Sequence, residues 1–177
     1  MIATVVGLDD VISVTPTLDT NAYASGDRLG SIQTITNPFR SIHRANDLPV
    51  ASAGGGTVQP RNGRVILSEV TLLDQAKQSQ PIDLLFFDSS PTVASADNAP
   101  IDISDAEMAA KFIGSVSIGS TYVALAGNSV STDRNLNMLL KQNPSATDNN
   151  IYVVAVIRGS ATFTASSLIF SYKFYQD

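Results

Sequence analysis

VILSEVTLLDQAKQSQPIDLLFFD, residues Val65–Asp88, contains two apolar runs separated by a polar connector. The runs are Val65–Leu73 and Ile82–Phe87, and Pro81 excludes a ladder N–H just before the second run. We therefore predict two strands joined by a short polar loop. In the second run the side chains alternate between two faces, and both faces are largely apolar. A strand that is apolar on both faces indicates the interior of a sandwich or barrel.

Other segments are also predicted to form strands, because apolar residues alternate in them or turn residues end them. Further strands are predicted at Val11–Val14, Arg28–Thr36, Phe112–Ile118, Tyr122–Leu125, Leu136–Leu140, Ile151–Arg158 and Ser167–Tyr175. Ile151–Arg158 is apolar on both faces and is expected to be central. Ser104 and Glu107 form a capping-box pattern that predicts one short helix over Asp105–Lys111. About eight strands with one helix predict an all-β fold, an antiparallel β-sandwich of jelly-roll type.

Composition limits the organisation and the partners of the chain. The 177 residues, 44% hydrophobic and 15% charged, predict a single domain over residues 1–177. A net charge of -5 without a basic run argues against a nucleic-acid partner. The absence of cysteine excludes disulfides and thiolate chemistry. The start MIATVVGLDD resembles no signal peptide, and the longest later apolar run, Ile151–Ile157, is too short for a membrane span, so we expect no membrane association.

Two segments are predicted to extend from the sandwich. Residues Met1–Thr20 are interpreted as an N-terminal arm that includes the first strand. Residues Phe39–Asn62 carry Pro49, the triplet Gly54–Gly56 and Pro60, which predict a long loop or extended arm. Loops of this length in compact domains are commonly functional or disordered.

Catalytic and cofactor motifs are sparse. His43 is the only histidine, it lies in the long loop between Arg40 and Arg44, and no G-x-S-x-G motif accompanies it. One histidine without cysteine also excludes a zinc site. The glycine triplet matches no phosphate-binding loop, because neither GxxxxGK[ST] nor a strand followed by a helix is present. We predict no catalytic, cofactor-binding or metal-binding residue and no enzyme activity.

Oxygen-rich segments leave two alternatives open. A loop calcium site would draw on Asp97, Asn98, Asp102 and Asp105, whose spacing does not match an EF-hand. A glycosidase would need two facing carboxylates from Glu69, Asp74, Asp83 and Asp88. The chain has no tryptophan to stack on a sugar, although three tyrosines could substitute, namely Tyr23, Tyr122 and Tyr152.

Three stretches resemble small virion proteins of tailed bacteriophages. They are DQAKQSQPIDLLFFDSSPT (residues 74–92), DNAPIDISDAEMAAKFIGSVSI (97–118) and IYVVAVIRGSATF followed by SLIF (151–170). The shared pattern is D-x-A-K-Q-S, then I-D-L-x-x-F-D, a turn, a short acidic helix and a late strand ending in R-G. It covers roughly Tyr23–Gln176 and consists of framework residues, while Asn37–Arg61 has no counterpart in it.

The resemblance implies a structural component of the virion, made in the host cytoplasm without a cofactor. The expected role is that of a head decoration or cement protein that binds the major capsid protein or other virion proteins. We also expect a homo-oligomer, a trimer, in which Met1–Thr20 or Phe39–Asn62 reaches a neighbour. The alternative is a carbohydrate-binding or receptor-binding module of a tail or fibre, since jelly-roll sandwiches often present loops to glycans.

Overall fold

The computed structural model describes residues 9–36, 38–39, 64–143, 145 and 148–175. These residues form eleven strands and one helix. Their bounds are β1 Asp9–Val14, β2 Ala22–Tyr23, β3 Gln33–Ile35, β4 Arg64–Asp74, β5 Ile82–Phe87, α1 Asp105–Lys111, β6 Phe112–Ile118, β7 Val123–Ala124, β8 Ser129–Lys141, β9 Ile151–Ile157, β10 Ala161–Thr162 and β11 Leu168–Tyr175.

The strands form an antiparallel sandwich with jelly-roll connections. One sheet has the order β1-β11-β4-β8-β7, the facing sheet has the order β3-β9-β5-β6, and β2 pairs with β10 separately. If the short strands β2, β7 and β10 are set aside, the first strand pairs with the last, and each later strand pairs with the next one inward: β1 with β11, β3 with β9, β4 with β8 and β5 with β6. This nested pairing is a long hairpin rolled into two sheets, as in a jelly roll. The predicted fold class is therefore confirmed.

The core lies between the two sheets and follows from the alternation in the longer strands. In β11, Leu168, Phe170, Tyr172 and Phe174 are fully buried, whereas the residues between them are half-buried. In β4 and β5 the alternate residues Leu67, Val70, Leu72, Leu84 and Phe86 are buried in the same core. The ring of Tyr172 meets that of Phe86 edge to face at 6.0 Å, so aromatic contacts join the two sheets.

The strands of the opening stretch are present, but they do not pair with each other. β4 belongs to the five-stranded sheet and β5 to the four-stranded sheet, so the polar connector crosses from one sheet to the other. Asp74 stabilises that crossing, because its carboxylate accepts hydrogen bonds from the N–H groups of Ala76 at 2.9 Å and Ser79 at 2.7 Å.

Several predicted boundaries differ from the observed ones. The strand predicted over Arg28–Thr36 is reduced to β3, because Gly30 adopts φ +75° and interrupts the pairing with β9. The strand predicted at Leu136–Leu140 begins earlier, at Ser129. The polar residues before Leu136 would by themselves predict a loop, but they pair with β4 and so extend the strand. Residues 9–14 of the predicted arm form β1, which pairs with β11 along its whole length. Residues 15–20 of the predicted arm are also described, and Leu18 among them is buried in the core, so this part does not extend from the sandwich. Residues 1–8 of the arm and residues 40–62 of the predicted loop lie outside the described residues, whereas Phe39, the first residue of that loop, is buried.

Helix α1 has the predicted bounds but only half of the predicted capping box. Ser104 Oγ accepts a hydrogen bond from the N–H of Glu107 at 3.3 Å. The Glu107 carboxylate does not complete a reciprocal cap but binds Lys111 Nζ and the N–H of Thr92, each at 2.7 Å. These two donors, the ammonium first, lower the pKa of Glu107. The helix is thus attached to the segment that precedes it.

That preceding segment covers part of the outer face of the four-stranded sheet. The chain leaves β5, crosses β9 to reach the far edge, where Asn98 and Ala99 bond to the backbone of Arg28, and then returns through α1 to β6. Outward-facing residues of β9 beneath this crossing are buried: Val154 is 1% exposed and Val156 0%. The outer face of this sheet is therefore covered over β9, whereas Thr34 of β3 and Ser115 and Ser117 of β6 are exposed. No helix in the described part of the chain is long and apolar enough to cross a membrane.

Candidate interaction surface

The outer face of the five-stranded sheet, in contrast, is open. We define the open face as the outward side chains of β1, β11, β4, β8 and β7, which are half-buried or exposed rather than buried. On β4 these residues are Ile66, Glu69, Thr71 and Leu73, and each has cross-strand partners on the neighbouring strands. The side chains thus form rows that run across the sheet.

Two polar rows cross the middle of the open face. In the hydroxyl row, Ser13 Oγ lies 2.8 Å from Ser171 Oγ, and Thr71 Oγ1 lies 3.1 Å from Thr132 Oγ1. In the charged row, Glu69 stands between Lys173 of β11 and Arg134 of β8. Arg134 Nε lies 3.2 Å from Glu69 Oε2. The centre of the open face is therefore organised by polar contacts between neighbouring strands.

Two apolar rows flank the polar centre. One consists of Tyr175, Ile66 and Leu139, in which Tyr175 is 42% and Leu139 44% exposed. The other consists of Ile169, Leu73, Val130 and Val123, in which Val123 is 64% exposed. A sheet face with apolar rows at both ends and polar rows between them has the composition of a protein-binding surface.

The four carboxylates considered as a glycosidase pair are not brought together. Glu69 is on the open face, whereas Asp74 is buried at the end of β4. Asp83 is on the opposite sheet, where Arg158 Nε donates to it at 2.6 Å and Ser117 Oγ at 2.5 Å. Asp88 accepts a hydrogen bond from Ser89 Oγ at 2.9 Å. Each carboxylate thus has its own local partners.

The residues considered for calcium do not converge on one ion site. The carboxylate of Asp97 accepts hydrogen bonds from the N–H groups of Asp19 and Gly30, each at 2.7 Å, and from the hydroxyl of Tyr23 at 2.8 Å. Asn98 pairs through its backbone with Arg28. Within the described residues, no group of three histidines, cysteines, aspartates or glutamates is arranged to hold a metal ion.

The three tyrosines considered as a sugar platform serve structural contacts. Tyr23 is only 2% exposed, and burial, followed by the Asp97 carboxylate, raises the pKa of its phenol. Tyr122 is half-buried and donates to the carbonyl of Gln80 at 2.7 Å. Tyr152 donates to Asp148 at 2.8 Å. His43 and Gly54–Gly56 lie outside the described residues.

The open face was not found by sequence reasoning. Its signal in the sequence is the alternation in β4, where Ile66, Thr71 and Leu73 occupy positions between buried residues. That alternation marks an outward face, but only the crossing of residues 88–104 over the other sheet shows which of the two outer faces is open. No known protein family matches the sequence, and no curated protein shows significant similarity to it.

Proposed function

We propose that this chain is a structural protein of a bacteriophage virion, a head decoration protein that stabilises the capsid through protein–protein contacts. One observation carries the proposal: the sandwich covers part of one outer face with its own chain and leaves the other as an open surface with apolar rows. The resemblance of residues 74–92, 97–118 and 151–170 to phage virion proteins supports the same role.

An open sheet face suits a subunit that docks on a shell. Stable protein interfaces bury roughly 800 Å² on each partner, and an open five-stranded sheet is a continuous surface on which such contacts can form. The mechanism is mass action: a protein that binds only the assembled shell stabilises the assembled state. Neither a cofactor nor a covalent step is needed.

The proposal includes assembly and location. We propose that the chain folds in the host cytoplasm, associates with copies of itself as a trimer and is incorporated into the virion. Its partners are then the major capsid protein or other virion proteins. The sparsely charged composition, 15% Asp, Glu, Lys and Arg, is compatible with a protein that is covered by neighbours.

The test is binding to heads of the corresponding phage assembled without this chain. Purified protein is added to the heads, bound protein is measured by co-sedimentation, and the loaded heads are heated. We expect saturable binding and a higher temperature of head disruption. Thr132→Asp adds a carboxylate to the open face, and burying that charge is expected to weaken binding about 10-fold or more.

Thr34→Asp is the matched control, because Thr34 is also an exposed strand threonine but belongs to the four-stranded sheet. It is expected to bind heads as the unmodified protein does. Failure of the unmodified protein to bind heads would contradict the decoration role. Equal loss of binding in both variants would contradict the assignment of the open face.

A further inference from the structure

A groove runs along the side of the sandwich where both sheets end. In the described part of the chain, β6 is the last strand of its sheet, and β7 pairs only with Ser129 and Val130 at the start of β8. The outer edge of β8 from Ser131 onward therefore has no described neighbour, and it lies beside β6. We call the space between them the β6–β8 groove; its volume is about 600 Å³.

Apolar side chains form the floor of the groove, and the polar residues Ser115 and Ser117 of β6 also line it. Ile113 and Val116 of β6 and Leu136 and Met138 of β8 line it, and three of these, Ile113, Leu136 and Met138, are only partly buried against the core. Gly114 of β6 lies close to β8: a Cβ at this position would lie 2.7 Å from Met138 Cε. The floor thus offers apolar surface that a partner could bury.

Among the described residues, Asp133 is the one charged residue that lines this groove. It pairs across the ladder with Val70, which is fully buried, so its side chain is on the inner side of the sheet. Within the described residues, Asp133 makes no ion pair and no hydrogen bond. A half-buried carboxylate beside apolar surface favours a cationic group in whatever occupies the groove.

A local distortion of β8 places Leu136 at this site. Asn135 and Asn137 both adopt positive φ, 60° and 49°, a conformation that asparagine tolerates better than most residues. The three residues 135–137 stand opposite Ser68 alone, so β8 bulges between Arg134 and Met138. Such strained backbone is commonly found at binding sites, and here it accompanies the apolar floor and the carboxylate.

The shape of the groove selects an extended segment. Stacked sheets are separated by about 10 Å and neighbouring strands by about 5 Å, so one strand fits between two sheet edges, whereas a helix with its side chains is about 10–12 Å wide. A strand beside β6 would also bond to the peptide groups of its free edge, as in β-augmentation. The groove spans residues 113–117 of β6, which corresponds to a partner segment of about five to seven residues.

We propose that the β6–β8 groove binds an extended segment of a partner protein, in which apolar side chains alternate with polar ones and a Lys or Arg among the inward-facing side chains pairs with Asp133. The inference does not depend on the proposed phage role, because it rests on the edges, the floor and the carboxylate. It would supply a second contact, separate from the open face.

The test uses an array of nonapeptides of the form Val-Thr-Val-Ser-Lys-Ser-Val-Thr-Val, with the four valines varied among apolar residues and the central residue set to Lys, Arg, Gln or Glu. Hits are measured in solution by fluorescence polarisation with the full-length protein. We expect Lys and Arg peptides to bind about 10-fold or more tightly than Glu peptides. Asp133→Asn should remove this preference, and Asp133→Lys should reverse it.

Two controls separate binding from folding. Asp102→Asn removes a carboxylate at an exposed loop position and should leave peptide affinity unchanged. Methylation of alternate peptide nitrogens should abolish binding in one register and spare it in the other, because only one set of N–H groups faces β6.

Three outcomes would overturn the proposal: no saturable binding of any peptide up to about 1 mM, affinities that Asp133→Asn does not change, or self-association of the chain that Asp133→Lys abolishes. The last outcome would assign the groove to a second copy of this chain instead.

Discussion

The hydroxyl of Ser68 donates a hydrogen bond to the backbone carbonyl of Lys173 at 3.0 Å, at the point where the β4–β11 register shifts by one residue. Ser68 is the extra residue of β4 in this ladder, and it is only 6% exposed. A bulge interrupts the ladder locally and leaves backbone groups without their regular strand partners. The serine side chain supplies one such partner, so the bulge carries its own hydrogen-bond donor.

We expect Ser68→Ala to lower the free energy of unfolding by about 1–2 kcal/mol, because the Lys173 carbonyl loses a donor in a buried place. Urea denaturation monitored by tyrosine fluorescence and circular dichroism measures this change. Ser13→Ala is the matched control: it removes an exposed hydroxyl pair with Ser171 and should change stability by less than about 0.5 kcal/mol. Equal effects of the two substitutions would show that the Ser68 hydroxyl does not stabilise the bulge.

Asp97 is predicted to be the most sensitive carboxylate for stability. Its side chain accepts hydrogen bonds from the N–H groups of Asp19 and Gly30 and from the Tyr23 hydroxyl, and so ties the segment before α1 to the chain between β1 and β3. Asp97→Ala should lower the free energy of unfolding by about 2–4 kcal/mol, because three donors lose a charged acceptor together. Thermal unfolding by calorimetry measures the loss.

Two further variants test how much of this stability loss comes from individual contacts of Asp97. Tyr23→Phe removes one of the three donors and should have a smaller effect, about 1 kcal/mol. Asp102→Ala, at an exposed position five residues along, should be nearly neutral. If Asp97→Ala were also nearly neutral, the contacts of Asp97 would be incidental to folding.

The strong alternations in the sequence predicted the core correctly. In β11 the period of two residues separates Leu168, Phe170, Tyr172 and Phe174 from the outward side chains, and these four residues are buried as expected. The sequence pattern alone sufficed for β11, because the residues on one of its faces all have large, mainly apolar side chains. The same reasoning identified the bounds of α1 from its cap and its alanines.

Prediction failed where long-range pairing overrides local preference. Ser129–Asn135 contains mostly small and polar residues, yet it forms the first half of β8 because β4 supplies the ladder partners. The hydrogen bonds of Asp97 join residues 67 to 78 positions apart in sequence, which no local pattern reveals. The open face and the β6–β8 groove likewise depend on which segments meet in space.

Alkaline pH should destabilise the protein steeply through two buried tyrosines and one half-buried tyrosine. Burial raises the phenol pKa of Tyr172, Tyr23 and Tyr122, with nearby carboxylates adding to the shift for the last two. Below pH of about 10, folded and unfolded chains both hold these protons, so they cause no pH dependence. Above that pH only the unfolded chain releases them, so each tyrosine lowers the free energy of unfolding by about 1.4 kcal/mol per pH unit.

Tyr172→Phe tests this account, because Tyr172 donates to Gln33 Oε1 at 2.8 Å in the core. The substitution should lower stability at pH 7 by about 1–3 kcal/mol and should reduce the slope between pH 10 and 11.5 by about 1.4 kcal/mol per unit. Urea titrations across this range give both quantities. Tyr175→Phe, at an exposed ring, should change stability at pH 7 by less than about 0.5 kcal/mol. An unchanged alkaline slope for Tyr172→Phe would contradict the assignment.

Substitutions at three glycines should distinguish the effect of backbone strain on stability from the effect of steric contact. Gly30 has φ +75°, and a Cβ there would lie 2.9 Å from the Thr17 carbonyl oxygen, so Gly30→Ala should lower the free energy of unfolding by about 2–4 kcal/mol. Gly26 has φ +98° but open space, so Gly26→Ala should lower it by only about 1 kcal/mol. Gly127 has neither constraint, and Gly127→Ala should be neutral or slightly stabilising. Calorimetric unfolding of the three variants gives the order, and a Gly127 variant as unstable as the Gly30 variant would contradict this explanation.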